Sequence, residues 1–186
     1  MAHSGLSLID PHAIFEKIGL GKGMRVADFG CGRTGHFVFS ASRQVEETGV
    51  VYAVDILKDV LENIKSRIRS EGYDNVQTIW SNIEAVGKTA IPAQTLDGCF
   101  FVNVASLLND KEAAVAEAVR LLKKNGFLAI IEWTRPLGNV GPRPEQLLAP
   151  EKIKEISEKQ GLVIVESFPA GEYHYCSIFR KEKDLI

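Results

Sequence analysis

Residues 26–37, VADFGCGRTGHF, restrict the fold of this chain more than any other stretch. Val26, Ala27 and Phe29 suit a short buried strand, and the residues after Gly35 suit a helix. Between them, Gly30, Gly32 and Gly35 form a Gly-x-Gly-x-x-Gly turn, in which the backbone can bend sharply and approach a ligand closely. Strand, glycine turn and helix in this order predict a nucleotide pocket.

A helix from Gly35 to about residue 48 then leads to residues 50–55, VVYAVD, a second strand that ends in an acid. Such a crossover requires a parallel pair, and its right-handed sense puts both strand ends at one edge of the sheet, with Asp55 near the glycine turn. Two ligand classes fit. Dinucleotide-binding folds have an acid at this distance from the turn, as Asp55 is. Asp28 favours the other class, because a carboxylate two residues before Gly30 would repel a pyrophosphate on the helix N-terminus and attract a cation. S-adenosylmethionine carries an amino group and a sulfonium but no phosphate. On these residues the stretch resembles motif I of the class I S-adenosylmethionine-dependent methyltransferases.

The resemblance implies an α/β fold: a Rossmann-like doubly wound sheet of seven strands, mostly parallel with the last strand antiparallel, in the order 3-2-1-4-5-7-6. It implies S-adenosylmethionine as cofactor, with Asp28, Gly30, Cys31, Gly32 and Gly35 around its methionine end. Asp55 would take the ribose hydroxyls, since a carboxylate offers two acceptor oxygens, with Ile56 beside it. The alternative for Asp55 is a cap on the next helix. Asn82 falls where the family places a polar group near the adenine amino group, Ile83 where it would pack on the ring, and Asn103 at the end of strand four.

The remaining elements follow from periodicity and punctuation. Asp10-Pro11 caps a helix with Ile14, Phe15 and Ile18 on one face, which either covers the cofactor or packs on the sheet. Residues 57–71 form a helix, 76–80 a strand, 87–94 a loop, and 96–102 a strand covered on both faces. Asp110 caps a helix expected to run through Lys124 and stop at Asn125-Gly126, before strand 127–133. Residues 134–148, with Pro136, Pro142 and Pro144, are an ordered loop or lid. A helix starts at Pro150, and strands 162–168 and 173–180 are joined so briefly that only an antiparallel hairpin is possible. The resemblance covers residues 23–180. The chain is expected to be a single domain over 1–186, with 1–22 as a helical lead-in.

The net charge of −2 removes the bulk electrostatic case for nucleic acid or a membrane surface. Cys31, Cys99 and Cys176 suggest neither a disulfide framework nor zinc spacing, and no leader or membrane span is legible, so a cytoplasmic protein is expected. Residues 102–105 (VNVA) lack the Asn/Asp-Pro-Pro-Tyr segment of enzymes that methylate exocyclic base amines. The expected partner is therefore a small-molecule methyl acceptor.

Methyl transfer requires alignment more than a nucleophile, with a base only where the acceptor starts protonated. Glu132 and His174 are the catalytic candidates and Trp133 and Tyr173 the substrate-binding ones, because strand five ends and strand seven begins at the cofactor edge. Glu132, Tyr173 and His174 are expected to line one pocket beside the methyl group, roofed partly by residues 134–148. Glu132 could instead pair with Arg135, and His174 could be a satisfied strand histidine. His36 either touches cofactor or packs; His3 and His12 carry no signal. Two alternatives to methyl transfer stand at this point: an NAD(P)-dependent oxidoreductase, and a non-catalytic S-adenosylmethionine-binding partner subunit.

Overall fold

The computed structural model describes residues 8–182, so His3 and the first seven residues of the expected lead-in lie outside the described residues. The strands are β1 (Arg25–Phe29), β2 (Val50–Asp55), β3 (Val76–Trp80), β4 (Leu96–Val102), β5 (Leu122–Trp133), β6 (Leu162–Pro169) and β7 (His174–Lys181). They form one seven-stranded sheet in the order β3-β2-β1-β4-β5-β7-β6. β7 is antiparallel to both β5 and β6, and the other pairs are parallel. This is the expected methyltransferase topology.

Helices α1 (Pro11–Ile18), α2 (His36–Val45), α3 (Lys58–Glu71), α4 (Lys111–Leu121) and α5 (Pro150–Lys159) cover the sheet. The alternation of strand side chains divides the core in two. Val26, Val51 and Phe100 pack with α1, α2 and α3, whereas Ala27, Val54, Cys99 and Phe101 pack with α4 and α5. With both faces covered, the central strands are apolar nearly throughout. α1 starts as expected: the Asp10 carboxylate accepts from the His12 N–H at 2.9 Å, and Gly19 closes the helix in the left-handed region. Among the described residues no helix is long and apolar enough to cross a membrane.

Two expected boundaries are corrected. α4 ends at Leu121 rather than Lys124, and β5 begins at Leu122. Leu122 pairs with Leu96, the ladder is then interrupted, and pairing resumes at Phe127 opposite Gly98. Asn125, at φ 64°, makes this bulge possible. The ring of Phe127 fills the space of the missing side chain: a Cβ on Gly98 would lie 2.0 Å from it. α2 ends at Val45, not near residue 48, because Glu46 turns the chain at φ 56°.

The topology sets where chemistry can occur. β1, β2, β3, β4 and β5 end at a common edge, and the antiparallel β7 begins there.

Candidate active site

The glycine turn sits at the end of β1. Gly30 (φ 73°) donates its N–H to the Val54 carbonyl at 2.8 Å, and a Cβ on it would lie 2.6 Å from Val104. Gly32 (φ 65°) has no heavy atom within 4 Å of the place a Cβ would take, so it leaves open space. Its N–H donates to Asp55 Oδ2 at 3.3 Å, while Asp55 Oδ1 accepts from the Leu57 N–H at 2.9 Å. Asp55 thus holds the turn before α3 and does not cap the helix, whose N-cap is Leu57 with no side-chain capping bond. The same residue faces the cavity.

That cavity has a volume of about 680 Å3. Of the residues expected at the site, Gly30, Gly32, Asp55, Ile56, Asn82, Ile83, Asn103 and Trp133 line it. One half is the glycine turn with the ends of β2 and β3. The other half comes from the segment after β4, including Val104, Ser106, Leu107 and Leu108, and from the loop after β5, including Gly141, Pro142 and Gln146.

The other expected residues stand behind this wall. Asp28 is buried, and its Oδ1 has no hydrogen-bond partner among the described residues. Burial, and then the charge of Asp55, push its carboxyl up to about 7. Cys31 is a core residue whose thiol is pushed up by burial and by Asp28 and Asp55, the opposite of an activated nucleophile. Gly35 starts α2 at φ 54°, where a Cβ would lie 2.7 Å from both Ile64 and Phe39.

Glu132, Tyr173 and His174 do not meet in the cavity. The His174 ring packs against Trp133 with centroids 4.2 Å apart, is buried, and borders a separate 290 Å3 cavity that Thr134 and Ser167 also line. Burial pushes its imidazole down to about 4. Tyr173 carries the Arg135 guanidinium 5.0 Å from its ring, and Arg135 pairs with Glu172 at 2.7 Å. The Glu132–Arg135 pair is thus replaced: Glu132, 1% exposed, accepts the Ser106 N–H at Oε1 and the Ser106 hydroxyl at Oε2, each at 3.0 Å. Burial raises the Glu132 carboxyl, outweighing those donors. His36 donates to the Ile9 carbonyl at 3.2 Å, a packing role.

Ser106 has no motif around it in the sequence. It lies on a single 3-10 turn, Ala105–Leu107, and becomes notable only once Glu132 is seen beneath it.

A family model described as a methyltransferase domain matches residues 20–176 of this chain. The "Ubiquinone/menaquinone biosynthesis C-methyltransferase UbiE" of Shewanella halifaxensis is 28% identical over 159 residues, 85% of this chain and 60% of the relative. The chain thus spans 60% of the length of that curated relative. Among solved structures, a SAM dependent methyltransferase from Aquifex aeolicus superimposes with TM-score 0.86 and 26% identity, covering 96% of this chain and 93% of the other. An arsenic (III) S-adenosylmethionine methyltransferase from Chlamydomonas reinhardtii shares the fold, with TM-score 0.67 and 23% identity over 87% of this chain and 64% of the other.

Proposed function

This chain belongs to the class I S-adenosylmethionine-dependent methyltransferases, and from that premise we propose that it moves a methyl group to a small-molecule acceptor held in the cavity at the strand ends. The observation that carries this reading is the joining of the glycine turn and Asp55 to an apolar enclosure within one cavity. The family assignment sets aside the nicotinamide-dependent alternative.

The residues present fit the cofactor. Gly32 leaves a space that any side chain would fill, Asp55 presents carboxylate oxygens, and Asp28 holds a buried carboxyl oxygen that no described group satisfies. When bound, S-adenosylmethionine supplies an electrophilic methyl group whose release leaves a neutral thioether. The chain's own task is to align the acceptor and exclude water. Asp55 would hold the ribose hydroxyls, Asn82 and Ile83 the adenine, and Asp28 would attract the amino group through its charge. Trp133, packed by His174 and by the backbone of Gly141, would give the acceptor a rigid wall. The name of the Shewanella relative makes carbon the first acceptor atom to test.

Calorimetric titration with S-adenosylmethionine, S-adenosylhomocysteine and NAD is the test. The first two are expected to bind; micromolar NAD with no response to S-adenosylhomocysteine would sink the proposal. A methyl-transfer assay then separates an enzyme active alone from a non-catalytic partner subunit.

Asp55→Ala is expected to weaken S-adenosylhomocysteine binding by about 1–3 kcal/mol, the effect of removing a charged hydrogen-bond partner. Loss of the bonds to Gly32 and Leu57 should lower fold stability by about 1 kcal/mol as well. Unchanged affinity with lowered stability would leave Asp55 with only the structural bonds to Gly32 and Leu57.

A further inference from the structure

The acceptor half of the cavity is mostly apolar where it surrounds Ser106, with Val104, Leu108, Trp133 and Pro142 among its walls. Asn103 and Gln146 are the other polar side chains on this side, and with so few polar groups the polarity of each bears on what a ligand must offer. The hydroxyl of Ser106 is not free to choose. Its oxygen lies 3.0 Å from Glu132 Oε2, while the N–H of the same residue lies 3.0 Å from Oε1, so both carboxylate oxygens are used by one residue. β5 keeps Glu132 in place, pairing it with Tyr175 of β7 and the preceding Ile131 with Val102 of β4. In its ionised form, which the two bonds from Ser106 favour and a pH well above the ordinary carboxylate range brings out, the carboxylate only accepts. A serine hydroxyl has one hydrogen. With that hydrogen given to Glu132, the oxygen has only lone pairs left for the cavity.

We propose that Ser106 is a specificity-determining residue which, oriented by Glu132, offers the acceptor site a hydrogen-bond acceptor and selects ligands that donate over isosteres that only accept. The ligand concerned is the methyl acceptor, so the inference rests on the methyltransferase reading of this cavity. An ether oxygen in place of a hydroxyl would face lone pair to lone pair and leave Ser106 unsatisfied. Glu132 acts through Ser106 and does not itself line the cavity, which makes it a positioning residue.

The polarity can be inverted by design. In Glu132→Gln, the atom facing the Ser106 N–H must be the amide oxygen, because that N–H can only donate. The amide nitrogen then faces the Ser106 hydroxyl and donates to it, which releases the hydroxyl hydrogen toward the cavity. A purely structural Glu132 would produce no such gain.

The experiment uses the whole chain saturated with S-adenosylhomocysteine, at about pH 8, with β-naphthol, its methyl ether and naphthalene as probes of nearly common shape. Dissociation constants are read by ligand-observed NMR or fluorescence. Wild type is expected to prefer naphthol to its methyl ether by about tenfold or more, since a site built to bond a hydroxyl rejects an analogue that cannot donate. Ser106→Ala should reduce that ratio to within about threefold, and Ser106→Thr, which keeps the hydroxyl, should preserve it. Glu132→Gln should bind the methyl ether more tightly than wild type does.

A wild-type ratio near one, a ratio that survives in Ser106→Ala, or no binding of any probe up to about 1 mM overturns the inference. Should Glu132→Gln fail to fold, the two serine variants decide alone. Absence of S-adenosylhomocysteine binding overturns the methyltransferase reading and this inference together. Binding of S-adenosylhomocysteine without probe discrimination overturns this inference only.

Discussion

Asp28→Asn is expected to stabilise the ligand-free protein by about 2–4 kcal/mol at pH 8 and, at the same time, to weaken S-adenosylmethionine binding. The carboxyl is raised from its ordinary 3.8 to about 7, first by burial and then by Asp55. Below about pH 4 the folded and unfolded chains both hold this proton, and the residue carries no electrostatic penalty. Between about pH 4 and 7 the unfolded chain releases it and the folded chain keeps it, so stability falls as pH rises. Above about pH 7 the loss is complete and amounts to about 4 kcal/mol, of which asparagine recovers part because its amide is itself left partly unpaired. Urea denaturation of both proteins at pH 5 and pH 8 checks this. A gap of the same size at both values would remove Asp28 titration as the cause. The ligand should reverse the balance, since a cationic amino group favours the ionised carboxylate. Binding near pH 6 is then expected to release a proton in wild type and not in the variant, visible as a heat that depends on the buffer's ionisation enthalpy.

Glu117→Ala should lower stability by about 3 kcal/mol, although the residue is outside the site. Its side chain is fully buried on α4 and accepts the N–H groups of Gly87 and Thr89 at 2.7 and 3.0 Å, together with Arg120 at 2.7 and 2.8 Å. Burial pushes the carboxyl up, but the bonds from Arg120 and from the two backbone donors outweigh it and hold it at about 2. Because the folded value lies below the ordinary 4.5, the contribution is present above about pH 4.5 and lost as pH falls toward 2. Alanine leaves the buried Thr89 N–H and the part-buried Gly87 N–H without this acceptor, while Arg120, partly exposed, can reach water. The Thr89 hydroxyl also lies 3.1 Å from that of Ser81, next to Asn82, so the cavity wall depends on this anchor. Chemical denaturation should show the loss near neutral pH and a flatter acid limb. A difference under about 1 kcal/mol would mean that water replaces the carboxylate without penalty.

The central strands were legible because each is a short, mostly apolar run closed by a turn residue, and both faces of the sheet are covered there. Local punctuation also located α1, with Asp10, Pro11 and Gly19 at its ends. The end of α4 was not legible: Leu122 continues the helical pattern, and only Leu96, distant in sequence, draws it into the sheet. The glycine-turn half of the cavity could be anticipated because its residues sit at strand ends, at Gly30, Asp55 and Asn103. The other half could not. His174 is at the expected edge, yet strand alternation turns it behind Trp133. Tyr173 is held outward by Arg135, and Ser106 gains meaning only from a contact 26 residues away in sequence.

Residues 134–148 are tied at one end to Tyr173, just before β7, and at the other to Tyr175 within it. The Thr134 N–H donates to the Tyr173 carbonyl at 2.8 Å, and the Tyr175 hydroxyl donates to the Leu148 carbonyl at 2.7 Å. Between these two knots the segment supplies Gly141, Pro142 and Gln146 to the cavity, and the glycine turn takes no hydrogen bond from it. Loop length adds little to closure cost once the ends are fixed. The segment is therefore anchored like a cassette: apart from Gly141, whose backbone lies against Trp133, its interior can be lengthened or shortened at small closure cost, while the fixed ends leave the glycine-turn half of the cavity unchanged.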